Sequence, residues 1–195
     1  MFYTARDGDN YMKVQLHRVG LDGKGHVRLT DPAFTHNVTA AAISPDNSRF
    51  IDVYQTHNES PASQLVDAAS GKVLAQLTKS DLTRFDQAGF KKAEQFSYLA
   101  ADGKTKLFGQ ISFPSNFDPS KKYPVLVSVY GGPESGNNTP TENFAGPSAN
   151  AEYGFLTVLV SYRGVPGTGK RAADDTYLRL GVVDIDDMAE GIKAL

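Results

Sequence analysis

Polar and apolar residues alternate through the first 79 residues of the chain, most clearly where single polar residues separate Met12, Val14 and Leu16. Successive side chains of a β-strand point to opposite faces, so a period of two predicts strands with one buried face. The antiparallel strands that we expect from this pattern are Phe2–Ala5, Tyr11–Val19, His26–Leu29, Thr39–Ile43, Arg49–Gln55, Gln64–Asp67 and Val73–Leu77.

Turn sequences separate these strands at Leu21–Gly25, Ser44–Asn47 and Ala69–Lys72. Short strands at this spacing predict an antiparallel all-β module. The Ser-Pro-Asp turn at Ser44–Asp46 is typical of β-propeller blades, which take about 40–50 residues each, so one or two blades fit here. An ordinary small β-sandwich is the alternative interpretation.

After residue 79 the pattern changes. A polar crossing with a short helix over Ser80–Phe90 leads to an expected β-hairpin. The strands of this hairpin, Gln95–Ala100 and Lys106–Phe113, flank a turn around Asp102-Gly103.

Two continuously apolar runs, Val125–Tyr130 and Leu156–Tyr162, predict parallel strands that helices cover on both faces. We expect helices at Pro147–Tyr153 and Lys170–Leu180. A hairpin that leads into strand–helix units predicts an α/β fold, and this order matches the opening of an α/β-hydrolase sheet.

The last segment of the chain predicts one more helix. Ile185, Met188, Ala189 and Ile192 have the spacing of a single buried helix face. The acidic run Asp184–Asp187 is expected in the first turn, where the helix dipole favours negative charge.

Composition excludes several classes of protein. Twenty basic and 22 acidic residues give a net charge of −2, which provides no electrostatic reason to expect nucleic acid or an anionic membrane as a partner. The sequence contains no apolar stretch near the roughly 20 residues that span a bilayer. It also contains no cysteine, which excludes disulfides, thiolate metal sites and a cysteine nucleophile.

Tyr130 is the first candidate for chemistry, because it stands where an apolar strand gives way to Gly131-Gly132-Pro133. Glycines let a backbone approach a substrate closely, and the loop after the third strand of an α/β-hydrolase contributes to the oxyanion hole. A tyrosine hydroxyl there donates a hydrogen bond to the developing negative oxygen. A tyrosine that merely caps a strand above a tight turn is the structural alternative.

A rival hypothesis comes from Gly164–Lys170, which follows a strand, precedes a helix and fits Gly-x4-Gly-Lys. A P-loop continues with Ser or Thr, whose hydroxyl binds Mg²⁺, whereas Arg171 stands at that position. A P-loop-like nucleotide binder therefore stays as one alternative function. A non-catalytic β-repeat interaction module formed by residues 1–79 is another.

Other candidates for chemistry are weaker. Gly146–Asn150 lacks the second glycine of a Gly-x-Ser-x-Gly nucleophile elbow and follows a loop. We interpret Asp7–Asn10 as a hairpin turn rather than a calcium loop. The four histidines have polar neighbours, so we expect exposed positions and no metal ligation. No cofactor and no metal ion is expected.

Four stretches together, in order and spacing, resemble the dipeptidyl peptidase IV branch of the prolyl oligopeptidase family. Ser44–Asp52 resembles a late propeller blade and Glu94–Phe113 the hairpin that begins the hydrolase domain. Tyr123–Pro133 resembles the start of the catalytic domain, and Gly154–Gly181 its next strand, arginine turn and helix. Ser161 is a departure, because relatives commonly have Asp two residues before the arginine.

The resemblance implies a serine peptidase with a β-propeller over an α/β-hydrolase domain, often cutting after proline near the N-terminus of a peptide. By this resemblance Tyr130 matches the oxyanion tyrosine, with Gly131, Gly132 and Pro133 as a substrate-binding loop. The implied partners are peptides. A homodimer of the intact enzyme is compatible with the resemblance, which also favours a periplasmic or extracellular location.

The same resemblance implies a domain order. Residues 1–79 correspond to the last propeller blade or blades, 80–93 to a linker crossing, and 94–195 to the N-terminal part of the hydrolase domain, truncated before the nucleophile. We therefore expect the serine, aspartate and histidine beyond Leu195 and an inactive fragment. We also expect Val125–Val129 and Leu156–Val160 to leave an unpaired apolar edge.

Overall fold

The computed structural model describes residues 1–132 and 139–195, and these form two compact units. The first unit comprises Met1–Leu82 and Glu142–Phe144, and the second comprises Thr83–Thr141 and Ala145–Leu195. Residues 142–144 are distant in sequence from the rest of the first unit but belong to it. The sequence did not indicate this.

Two antiparallel sheets make up the first unit. Their strands are β1 (Phe2–Arg6), β2 (Val14–Arg18), β3 (Val27–Arg28), β4 (Thr35–Asn37), β5 (Arg49–Gln55), β6 (Ala62–Asp67) and β7 (Val73–Lys79). The strand orders are β1-β2-β3 and β4-β5-β6-β7, so each strand pairs with its neighbours in sequence. The alternating pattern therefore predicted the antiparallel pairing of this unit correctly.

The apolar core of the first unit combines residues from both sheets. Leu16 of β2 packs in one cluster with Phe50 of β5 and Val66 of β6, and all three are almost fully buried. Phe50 and Val66 are partners across the two strands. Removing such side chains from water contributes about 1.5–3 kcal/mol each to folding, which is the main stabilisation of this unit.

Buried polar side chains lie in the same unit. Asp52 is completely buried, accepts a hydrogen bond from Nε2 of Gln64 at 2.9 Å, and lies 2.8 Å from Nδ1 of His36. His17 is buried as well, with its Nδ1 3.1 Å from Nε2 of His26. The expectation that all histidines are exposed is therefore wrong, because a strand can turn a polar residue inward when a polar partner meets it there.

The expected strand Thr39–Ile43 is also wrong. Ala40–Ala42 form a short 3₁₀ helix instead. The strand at this end of the β4-β5-β6-β7 sheet is β4, which precedes that helix. Three consecutive alanines have a weak strand preference. Thr35 and His36 are buried polar residues, so β4 gave no apolar alternation to detect.

Glu142 explains why its segment belongs to the first unit. The side chain is buried and accepts a hydrogen bond from Nδ2 of Asn10 at 2.6 Å and one from the backbone N–H of His57 at 3.2 Å. Burial alone raises the pKa of Glu142, but the hydrogen bonds and charge of His57 outweigh it and lower that pKa. The carboxylate therefore acts as an ionised anchor.

A mixed sheet with flanking helices forms the second unit. Its elements are α1 (Thr83–Gln87), β8 (Glu94–Leu99), β9 (Lys106–Ser112), β10 (Val125–Ser128), α2 (Ala149–Glu152), β11 (Leu156–Val160), α3 (Lys170–Asp174) and α4 (Val183–Lys193). The strand order is β10-β11-β9-β8, with β10 and β11 parallel and the other pairs antiparallel. The hairpin and the parallel strand pair are confirmed, and the identity of this unit as part of an α/β-hydrolase domain stays a prediction.

β11 lies inside the sheet and not at its edge. It pairs with β10 on one side and β9 on the other, so the expectation of a free edge along Leu156–Val160 is wrong. Among the strands that the structure describes, β10 is the one at that edge, with Val125 and Leu126 48% and 40% exposed. A partly exposed apolar edge strand is a place where a further strand can pair.

Two helices differ from their predictions. α3 ends at Asp174 instead of Leu180, and Leu178 then adopts a left-handed φ of 56°, which a continuing helix excludes. In α4, Met188 is buried as expected, whereas Ile185 and Ile192 are about half exposed. The described part of the chain contains no helix long and apolar enough to cross a membrane.

Candidate active site

The parallel strands β10 and β11 end at the same edge of the sheet, and a tyrosine follows each of them after one intervening residue. The carboxyl edge of parallel strands is where α/β proteins bind ligands. Tyr130, after β10, is 46% exposed, and its hydroxyl has no hydrogen-bond partner within residues 1–132 and 139–195. Its phenol is therefore accessible to a ligand.

Gly131 and Gly132 are glycines because other groups occupy the space of a side chain. A Cβ on Gly131 would lie 2.6 Å from Oδ2 of Asp184, and a Cβ on Gly132 would lie 2.4 Å from Cε1 of Tyr130. Neither glycine has a left-handed φ, so close approach and not backbone conformation requires them. The Tyr130 ring thus packs directly against Gly132.

Pro133, the last member of the predicted loop, lies outside the described residues. The predicted roles of Tyr130, Gly131 and Gly132 concern a substrate and stay predictions at this point.

Two residues at this edge were not identified as site residues from the sequence. Tyr162, after β11, is 1% exposed, and its Oη donates a hydrogen bond to the Gly132 carbonyl oxygen at 2.6 Å. Asp184 is also buried, and its Oδ1 accepts a hydrogen bond from the Gly181 N–H at 2.6 Å. The matching positions of the two tyrosines after parallel strands were the available signal.

The surroundings of Tyr162 keep its hydroxyl protonated, so that it can donate a hydrogen bond. Burial raises the pKa of its hydroxyl, and the negative charge of nearby Asp184, as well as that of Tyr130 once Tyr130 is ionised, raises that pKa further. Tyr162 is therefore protonated across the pH range in which proteins normally work.

Arg163 anchors the turn that follows β11. Its Nε and Nη2 donate to the two carboxylate oxygens of Asp187 at 3.0 Å each, and its backbone N–H donates to the same side chain at 2.9 Å. Nη1 reaches Asp102 at 3.3 Å and Asp175 at 3.2 Å. Asp187, which we expected as a charge of the first helical turn, is instead a fully buried ion-pair partner.

We expect acid to weaken this network through Asp102. Burial raises the pKa of Asp102, but hydrogen bonds from Thr105 and Lys104 and the charge of Arg163 outweigh it and lower the pKa to about 2 from 3.8. A lowered folded-state pKa means that this stabilisation is complete above about pH 4 and is lost as pH falls towards about 2. Acid unfolding followed by circular dichroism is therefore expected to be less steep in Asp102→Asn; an unchanged profile contradicts the assignment.

The other candidates from the sequence have structural partners. Lys170 of the P-loop-like segment pairs with Asp174 one helical turn later, at 2.6 Å. Ser148 accepts a hydrogen bond from the Ala151 N–H and caps α2. In the part of the chain that the structure describes, no three His, Cys, Asp or Glu residues lie close enough together to hold a metal ion.

The chain is similar to several peptidases. Human dipeptidyl peptidase 8 is 26% identical over 205 aligned positions, which cover 100% of this chain and 22% of that protein. Human prolyl endopeptidase FAP is 33% identical over 102 residues, or 51% of this chain and 13% of the relative. No protein-family model matches the chain.

The fold is similar to a solved structure over nearly its whole length. A Bacteroides ovatus protein assigned as a dipeptidyl aminopeptidase IV superposes with a TM-score of 0.81 at 26% identity, covering 98% of this chain and 27% of that one. The antiparallel sheets of the first unit, together with this likeness, fit a β-propeller part. The chain spans about a quarter or less of the length of these relatives.

Proposed function

The chain belongs to the dipeptidyl peptidase IV branch of the prolyl oligopeptidase family, and from this premise we propose that it is part of a serine peptidase. In this proposal the intact enzyme releases N-terminal dipeptides or cuts after proline. Residues 1–79 are its last propeller blade or blades, 80–93 a linker, and 94–195 the first part of its α/β-hydrolase domain. Peptides are the substrates, and a homodimer is one assembly to test.

The proposed chemistry is acyl transfer. A serine, activated by histidine and aspartate that lie outside these 195 residues, attacks the substrate carbonyl carbon while histidine takes its proton. The carbonyl oxygen becomes negative, and the Tyr130 hydroxyl donates a hydrogen bond to it. The amine then leaves with a proton from histidine, and water releases the acyl group by the same route. Without the triad these 195 residues alone are inactive.

One observation carries the assignment of Tyr130. Its phenol is nearly half exposed at the carboxyl edge of two parallel strands, directly before two glycines that have no room for a side chain. An accessible donor at the carboxyl edge of parallel strands suits a substrate carbonyl that binds there. A tyrosine that merely capped the strand would have no need of such access.

The test is hydrolysis by the full-length gene product. We expect it to release p-nitroaniline from Gly-Pro-p-nitroanilide and to be labelled by a fluorophosphonate, which reacts with activated serines. The N-acetylated substrate separates the two proposed specificities, because a dipeptidyl peptidase requires a free amine and a prolyl endopeptidase does not. Absence of both hydrolysis and labelling in a folded protein would overturn the proposal.

A further inference from the structure

We propose that Tyr162 is a positioning residue, whose hydrogen bond to the Gly132 carbonyl holds the Tyr130 phenol in place at the carboxyl edge of β10 and β11. The inference rests on the proposed function, because it assigns the task of Tyr162 through Tyr130. Tyr162 touches no reacting atom in this proposal and acts only through the backbone of the loop.

The loop needs such a bond because of its composition. Gly131 and Gly132 have no side chains to pack, and glycine loses more conformational freedom on ordering than any other residue. The Tyr130 ring lies against Gly132, so a shift of the Gly132 backbone towards the ring would displace it. A donor hydrogen bond must be held within a few tenths of an ångström to stabilise a developing charge.

Tyr162 is well placed to supply that restraint. It follows β11, which is hydrogen-bonded to strands on both sides, whereas β10 is at the edge of the sheet among the described strands. Its side chain is buried, and its bond to Gly132 is short at 2.6 Å. The next residue, Arg163, is bound on both its backbone and its guanidinium by Asp187. The hydroxyl therefore projects from one of the best restrained points of the unit.

Asp184 limits the loop from a second direction. Its Oδ2 lies so close to Gly131 that a Cβ there would be 2.6 Å away, and its Oδ1 accepts a hydrogen bond from the Gly181 N–H. Gly131 thus has a carboxylate beside it while Gly132 is bound by Tyr162. Asp184 thus limits the movement of Gly131 towards it, and the Tyr162 bond restrains Gly132.

The experiment compares Tyr162→Phe with Tyr98→Phe in the full-length protein. Tyr98 is the matched control, because it is also buried in the second unit and its hydroxyl also donates to a backbone carbonyl, that of Ser161. Both variants lose one buried hydroxyl and keep the ring. We expect Tyr162→Phe to lower kcat about tenfold with little change in KM, and Tyr98→Phe to leave kcat within about twofold.

A double variant tests whether Tyr162 acts through Tyr130. If it does, Tyr130→Phe/Tyr162→Phe has the same kcat as Tyr130→Phe alone, since the positioned hydroxyl is already absent. A further tenfold loss in the double variant means that Tyr162 acts independently and overturns the inference. The inference is also overturned if Tyr130→Phe lowers kcat and Tyr162→Phe leaves kcat unchanged.

A second measurement needs no enzymatic activity. Amide hydrogen exchange of the peptide that covers Val129–Gly132 is expected to be faster in Tyr162→Phe than in Tyr98→Phe, because the loop opens more readily once the Gly132 carbonyl has lost its hydrogen bond. Equal exchange in the two variants overturns the inference. If exchange accelerates while Tyr130→Phe keeps full activity, the restraint is real and the proposed role of Tyr130 is what fails.

Discussion

Replacement of Tyr130 by phenylalanine is expected to lower kcat of the full-length peptidase by about 100-fold, which corresponds to the loss of one oxyanion donor. The ring of Phe fills the same space against Gly132, so the change removes the hydroxyl alone. KM is expected to change little, because the bond forms mainly to the charge of the transition state. Steady-state hydrolysis of a chromogenic dipeptide substrate measures both constants.

Tyr153→Phe provides the control for this substitution. Tyr153 is 84% exposed and lies just after α2, away from the carboxyl edge of β10. The same loss of a hydroxyl there is expected to leave kcat unchanged. If Tyr130→Phe behaves like Tyr153→Phe, the tyrosine has no part in the chemistry.

Replacement of Arg163 by methionine is expected to lower the free energy of unfolding by about 3–5 kcal/mol, the usual cost of removing one partner from a buried ion pair. Asp187 is fully buried and accepts two guanidinium hydrogen bonds at 3.0 Å. Without Arg163 the charge of Asp187 stays buried, and the donors that remain to it among the described residues are the backbone N–H groups of Ala101 and residue 163. Urea denaturation followed by circular dichroism measures the change.

An exposed ion pair of the same unit gives the comparison. Lys170 and Asp174 pair at 2.6 Å, but their side chains are 86% and 61% exposed. Lys170→Met is expected to cost at most about 0.5 kcal/mol, because water and salt screen the pair. Similar losses of unfolding free energy in the two methionine variants would show that the buried network contributes no more to stability than the exposed pair.

Sequence patterns predicted the apolar strands well, for a physical reason. Alternation in β5 and the apolar run of β11 reflect which faces are buried, whereas β10 is an equally apolar run that is largely exposed, so the prediction that helices cover both its faces is wrong for the described residues. Tyr130 was also identified as a candidate, because a tyrosine and two glycines follow an apolar strand and the family resemblance matches this tyrosine to the oxyanion donor. Its oxyanion role remains a prediction that the kinetic comparison decides.

The burial of polar residues could not be predicted from the pattern of polar and apolar positions. His36, Asp52 and Asp187 occupy interior positions only because specific partners meet them there. Those partners are remote in sequence, since Arg163 and Asp187 are separated by 24 positions. The role of Tyr162 was hidden for the same reason, because its hydrogen bond crosses 30 positions to Gly132.

The segment Glu142–Phe144 also has a consequence for biosynthesis. Asn10 and His57 receive their carboxylate acceptor only when Glu142 is available. A ribosome that has just completed β7 must therefore add more than 60 further residues before the N-terminal unit can reach its final hydrogen bonding. The hydrogen bonding of the first unit is therefore completed only after residues 142–144 have been synthesised.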